Sequence, residues 1–116
     1  MKLGKNNLGA EAERRVAFFL TGQGLALLTQ NYHCRFGEID LVMRDAKTLV
    51  FVEVRMRRSE FFGGAAESIT RTKQHKIMLT AQHYLQQHGE SACRFDVVLM
   101  DSNQTLTWIK NAFEAS

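Results

Sequence analysis

Apolar and polar residues alternate with a period of two through the centre of the chain. Residues 37–44 and 48–57 both follow this pattern, and Asp45, Ala46 and Lys47 between them have the composition of a short turn. Alternation of this kind is typical of β-strands that are buried on one side. The pattern therefore predicts a β-hairpin.

The same alternation predicts which side chains share a face of each strand, since successive side chains point to opposite sides. In the first strand one face should carry Ile39, Leu41 and Met43, and the other Glu38, Asp40 and Val42. In the second strand Val50, Val52 and Val54 should lie opposite Phe51, Glu53 and Arg55.

Helical spacing of apolar residues marks two further segments. It predicts helices at 8–22 and at about 70–87, while strand patterns occupy 25–32, 94–100 and 105–109, followed by a frayed helix at 110–115. Residues 57–68 contain Gly63 and Gly64 and are expected to form a mobile loop, with Phe61 and Phe62 as core anchors or exposed aromatics. The order α-β-β-β-α-β-β predicts the α/β class, as one domain over residues 1–116.

Composition narrows the function only slightly. The 116 residues carry a formal charge of +3 with a sequence pI of about 9.1, which weakly favours a polyanionic partner. The two cysteines, Cys34 and Cys93, form no C-x-x-C pair and are too few for a metal-cluster framework. Neither a signal peptide nor a membrane-length apolar run is evident, so we expect a soluble, cytoplasmic protein without a membrane partner.

Two carboxylates interrupt the apolar strands of the hairpin. Asp40 and Glu53 would be costly there unless something positive compensates them. If they face each other, their Cβ atoms lie about 5 Å apart, and either a proton or a cation must relieve the repulsion. Hard oxygen ligands favour Mg²⁺ or Mn²⁺. The alternative, a salt bridge with Arg55 or Lys73, stays open at this point.

Cations follow the acids along the chain. Arg55 is predicted to share a face with Glu53, and its planar guanidinium suits a phosphate oxygen. Between residues 55 and 76 the positive side chains are Arg55, Arg57, Arg58, Arg71, Lys73 and Lys76. Cations in the first turns of a helix oppose its dipole, so the second helix either presents them to an anion or has a solvated basic face.

Residues 37–42 (GEIDLV) and 51–55 (FVEVR) resemble the YraN-like family of small uncharacterised bacterial proteins. Gly9, Glu13, Val16 and Leu20, and the segments 63–76, 84–85 and 94–98, are similar as well. That family in turn resembles the PD-(D/E)XK nuclease superfamily, nearest to archaeal Holliday junction resolvases. The likeness covers nearly the whole chain.

This resemblance implies a restriction-endonuclease-like αβββαβ core, with a mixed central sheet flanked by helices. Asp40 and Glu53 would correspond to the two strand acids that hold the metal, and Glu13 to the helix acid that completes the site. Arg55 stands where the superfamily usually has lysine, and the usual proline before the first acid is replaced by Ile39. Because arginine keeps its proton, Arg55 should act on phosphate charge rather than as a base.

Three hypotheses follow. The first is a Mg²⁺- or Mn²⁺-dependent endonuclease for structured or branched DNA in repair or recombination, with a homodimer as an option. In it Asp40, Glu53 and Glu13 bind metal, Arg55 and Lys73 contact phosphate, and Arg57, Arg58, Arg71 and Lys76 follow the flanking backbone. The second is a non-catalytic nucleic-acid-binding module with the same fold, which Arg55 favours. The third is a protein-interaction adaptor.

Overall fold

The computed structural model describes residues 7–57 and 69–114. Its elements, in chain order, are α1 (Asn7–Gly22), β1 (Ala26–Cys34), β2 (Gly37–Asp45), β3 (Thr48–Met56), α2 (Arg71–His88), β4 (Cys93–Met100) and β5 (Leu106–Phe113). The predicted order is confirmed, and most ends lie within two residues of the prediction. The loop prediction for residues 58–68, with Phe61 and Phe62, lies outside the described residues.

The five strands form one mixed sheet in the order β1-β2-β3-β4-β5. β1 pairs with β2, β2 with β3 and β4 with β5 in antiparallel fashion, whereas β3 and β4 are parallel. Parallel neighbours need a crossover connection, and α2 lies in the segment that joins these two strands. The protein is therefore of the α/β class. Neither described helix is long and apolar enough to cross a membrane.

The two helices cover opposite faces of the sheet. Val50 and Val52 of β3 belong to a buried cluster with Leu20 of α1. Phe51, between them, belongs to the other cluster and packs edge-to-face on Tyr84 of α2, with ring centroids 5.9 Å apart. This confirms the prediction that Val50 and Val52 lie on the opposite face of β3 from Phe51, and the structure adds that the Phe51 face lies toward α2.

The predicted face of Ile39 in β2 is wrong. Ile39 packs with Val42 in the cluster beneath α2, while Leu41 packs on the α1 side. The pairing of β2 with β3 extends only as far as Leu41 opposite Val52. Beyond that pair the strict alternation of side chains between the two faces no longer holds, because β3 does not constrain β2 there. The side chain of Ile39 therefore lies on the α2 face.

The predicted helix at residues 110–115 is also wrong, because β5 continues to Phe113. Phe113 pairs with Phe95 across the β4–β5 ladder and stacks on it with centroids 5.0 Å apart. A register shift lies between Phe95 and Val97, and Asn111 within it has a φ of 53°. Strand pairing and aromatic burial outweigh the weak local preference for helix.

Candidate functional site

Asp40 lies where β2 and β3 begin to separate. Beyond the Leu41–Val52 pair, the backbone N–H of Val54 donates to Asp40 Oδ2 at 2.8 Å. The carboxylate thus takes the place of a backbone carbonyl in the ladder. With the residue only 6% exposed, this bond holds the Asp40 side chain between the two strands.

Glu53 lies on the α2 side of β3, buried to 4% exposure. Lys73, in the first turn of α2, places its Nζ 3.6 Å from Glu53 Oε2. The other oxygen, Oε1, is buried without a hydrogen-bond partner in the part of the chain that the structure describes. The salt-bridge alternative therefore holds for one oxygen of Glu53 and leaves the second unsatisfied.

This environment raises the pKa of Glu53 from 4.5 to about 7. Burial is the largest cause and repulsion by the Asp40 carboxylate the next. The positive charges of Lys73 and Arg55 and a backbone hydrogen bond from Asp40 lower it, but less strongly. The two acids thus lie close enough to interact, and the nearby cations do not cancel the rise in the pKa of Glu53.

Glu13, the predicted third acid, is buried at 4% exposure on α1. It shares the helical stripe of Val16, Ala17 and Leu20, which packs on the face of the sheet opposite α2. Glu53 lies on the α2 face. Across residues 7–57 and 69–114, no three acids, histidines or cysteines come together as a metal-binding group. The role of Glu13 stays a prediction.

Close approach of β2 to α2 fixes the position of the cationic helix. Gly37, which opens β2, has a φ of 150°, and a Cβ built there would lie 3.4 Å from Thr80 Oγ1 and 3.7 Å from Lys76 Cβ. A Cβ would make ordinary van der Waals contacts there, but a side chain at this φ would strain the backbone. Thr70 caps α2 by accepting a hydrogen bond from the Lys73 backbone N–H, so the basic first turns begin beside the acids.

Comparison with known proteins gives the chain a family. The sequence model of "Uncharacterised protein family UPF0102" matches residues 12–100, which include both strand acids. The chain belongs to the UPF0102 family. It is 56% identical over 113 residues to a UPF0102 protein of Nitrosomonas europaea, covering 95% of this chain and 96% of that protein. A UPF0102 protein of Nitrosomonas eutropha is 53% identical over 109 residues, with 93% and 94% covered.

UPF0102 membership confirms the YraN-like resemblance. A more distant relative from Alcanivorax borkumensis is still 49% identical over 116 residues, covering 94% of this chain and 93% of that protein. These names state a family and no activity. Any function of this UPF0102 protein must therefore be argued from its own site.

The cations predicted to contact nucleic acid in this UPF0102 chain lie at two places. Arg55 and Arg57 are half-buried at the end of β3, where the Arg57 backbone N–H donates to Met100 O at 2.7 Å. On α2, Arg71 and Lys76 are exposed and Lys73 is half-buried beside Glu53. Arg58 lies outside the described residues. Arg55 lies two residues from Glu53 on β3, and Lys73 contacts Glu53 from α2.

Sequence reasoning missed a fourth buried carboxylate among the described residues. Asp96 of β4 is 1% exposed and accepts hydrogen bonds from Arg94 Nε at 3.0 Å, Trp108 Nε1 at 2.9 Å and the Asn111 backbone N–H at 2.9 Å. Arg94 also bonds Asp45 at 3.1 Å. The two-residue spacing of Arg94 and Asp96, on one face of a strand, was the available signal. Both oxygens of Asp96 accept hydrogen bonds, and the donors on Trp108 and Asn111 connect β4 to β5. Glu53 differs, because its Oε1 has no hydrogen-bond partner among the described residues.

Proposed function

We propose that this UPF0102 protein is a Mg²⁺- or Mn²⁺-dependent endonuclease that hydrolyses phosphodiester bonds in structured or branched DNA, in repair or recombination. One observation carries the proposal: Glu53 is buried beside Asp40 with an oxygen that has no partner among the described residues. A cation relieves such a pair, and oxygen ligands favour these two ions.

The order of elements supports the restriction-endonuclease-like interpretation. α1, the antiparallel β1–β3 unit, α2 and the parallel strand β4 follow the αβββαβ order, with the acids in the second and third strands. The segments that resemble the PD-(D/E)XK superfamily supply these acids. A shared fold does not establish an activity, so the proposal depends on the site.

Asp40 and Glu53 would hold the ion. When bound, it would polarise the scissile phosphate and lower the pKa of a bound water. Mg²⁺ commonly binds through one or two carboxylates and keeps several waters, so two acids fit it without a third protein ligand. Glu13, which lies on α1 across the sheet from Glu53, is proposed as the third acid on the family resemblance alone.

The positively charged side chains would bind the phosphate groups of the nucleic acid. The planar guanidinium of Arg55 suits a phosphate oxygen and can stabilise charge that develops on the phosphate oxygens. The side chain of Lys73 is 43% exposed. Its ammonium can therefore contact a phosphate in addition to its ion pair with Glu53. The flanking backbone would be followed by Arg57, Arg58, Arg71 and Lys76.

The test compares cleavage of a labelled four-way junction, a flap and a linear duplex with Mg²⁺ or Mn²⁺. Asp40→Asn and Glu53→Gln should lower the rate about 100-fold or more, because each removes a metal ligand. Glu38→Gln changes an exposed carboxylate in β2, the strand that carries Asp40, and this variant should cleave at the wild-type rate. Equal cleavage by wild type and both site variants would mean a contaminating nuclease and would end the proposal.

The second candidate is a nucleic-acid-binding module without catalysis. Arg55 at the usual lysine position and the Lys73–Glu53 ion pair at 3.6 Å favour it, since that pair compensates one carboxylate oxygen without a metal. It predicts binding whose logarithm falls linearly with the logarithm of salt concentration and no cleavage with either ion. Metal-dependent cleavage that requires Glu53 would exclude it.

A further inference from the structure

α1 carries an aromatic side chain on the side that faces away from the sheet. Phe18 is 84% exposed, the highest value among the large hydrophobic residues whose burial the structure describes. Its neighbour Phe19 is instead half-buried and packs edge-to-face on Trp108, with centroids 6.0 Å apart. One exposed apolar residue is ordinary, so the surroundings of Phe18 decide whether it has a role.

Phe18 lines an open groove of about 490 Å³ between α1 and the start of β5. Arg14 and Arg15, also in the lining, lie one helical turn before Phe18 and therefore on the same side of α1. Glu11 pairs with both arginines, which leaves a net positive charge. Each guanidinium has five N–H donors, so donors remain for a phosphate.

The groove opens at the same end of the sheet as the candidate site. Leu106, in its lining, pairs with Met100 at the end of β4, and Met100 pairs with Met56 at the end of β3. Arg55 and Arg57 flank Met56. Two interstrand spacings, about 10 Å, separate the backbones of β3 and β5. Glu53 lies on the α2 face and the groove lies beside α1, so a nucleic acid strand that contacts both passes around this end of the sheet.

We propose that Phe18, Arg14 and Arg15 form a stacking platform for an unpaired strand of nucleic acid. An exposed aromatic ring stacks on a base of any sequence, and cations beside it bind the backbone. A symmetric dimer through this face would bring like-charged arginines together, so the charge favours a polyanion over a second copy of the chain. The inference rests on the proposed function and narrows its substrate to a duplex that carries a single-stranded arm.

Fluorescence anisotropy in EDTA tests the platform without cleavage, using a blunt duplex, the same duplex with a single-stranded overhang, and the single strand alone. Phe18→Ala should weaken binding of the overhang and the single strand by about 5- to 150-fold, the range measured for loss of one base stack. Phe18→Leu, which keeps an apolar side chain without a ring, should lose as much. Affinity for the blunt duplex should stay within about twofold of wild type.

Leu27→Ala is the matched control, since Leu27 is an exposed apolar residue on β1 outside the groove, and it should bind as wild type. Equal affinity of Phe18→Ala and Leu27→Ala for the overhang would overturn the platform. So would a change in molecular mass for Phe18→Ala with DNA binding intact, which would assign the face to a second copy. Binding that depends on Phe18, without any cleavage, would support the stacking platform and exclude the nuclease. Cleavage that depends on Glu53, with binding that does not depend on Phe18, would support the nuclease and exclude the platform.

Discussion

Replacing Glu53 by glutamine should stabilise the protein at alkaline pH and change little at acid pH. Burial and the Asp40 carboxylate raise the pKa of Glu53 from 4.5 to about 7. Between these values the folded protein keeps a proton that the unfolded chain releases. The contribution of Glu53 to the free energy of unfolding is therefore fully present below pH 4.5 and is lost as the pH rises through 7.

The size of the effect follows from the same two values. Each unit of pKa corresponds to about 1.4 kcal/mol, so the rise to about 7 corresponds to a loss on the order of 3 kcal/mol by about pH 8. Urea unfolding from pH 5 to pH 8 in EDTA measures it as the difference between Glu53→Gln and wild type. That difference should grow with pH in favour of the variant.

Glu38→Gln serves as the control, because the Glu38 carboxylate is exposed and its loss should leave the pH dependence unchanged. A second measurement adds Mg²⁺ at pH 8, where an ion at 100 times its dissociation constant stabilises the folded protein by about 2.7 kcal/mol. Wild type should gain this stability and Glu53→Gln should not. Parallel pH curves for wild type and Glu53→Gln would refute the reasoning.

Four further substitutions, at three residues, test the rest of the structure by the same urea assay. Asp40→Ala should cost about 1–3 kcal/mol, because it leaves a β3 backbone N–H without its acceptor, whereas Asp40→Asn keeps an acceptor and should cost less. Asp96→Ala should cost about 3 kcal/mol, because it removes the acceptor of Trp108 Nε1 and of the Asn111 backbone N–H and one of the two counter-charges of Arg94; wild-type stability would mean that this network contributes little. Phe113→Ala should cost about 3 kcal/mol through the loss of a buried ring, and no cost would contradict the pairing of Phe113 in β5.

The sequence predicted those parts of the fold that local pattern determines. The two-residue period of the hairpin and the helical spacing in α1 and α2 placed their elements within two residues. The predictions for the face of Ile39 and for the end of β5 were wrong for the same reason. The face of Ile39 depends on where β2 stops pairing with β3, and the length of β5 depends on pairing with Phe95, so neither is written in the local sequence.

The candidate site also has features that the sequence predicted and features that it did not. The cost of carboxylates in apolar strands was sufficient to single out Asp40 and Glu53. The ion pair with Lys73 was one of two open alternatives, since the sequence does not fix how α2 packs on the sheet. The orphaned oxygen of Glu53 depends on side-chain geometry at the end of the ladder, which no periodicity reveals.

The most direct test of the metal site is a crystal soaked in Mn²⁺, with the ion located by its anomalous scattering. We predict one ion bound by both Asp40 and Glu53, with Oε1 of Glu53 among its ligands, and its loss in Glu53→Gln. A structure at millimolar Mn²⁺ in which Lys73 and Arg55 compensate both carboxylates, with no anomalous peak between them, would contradict the proposal.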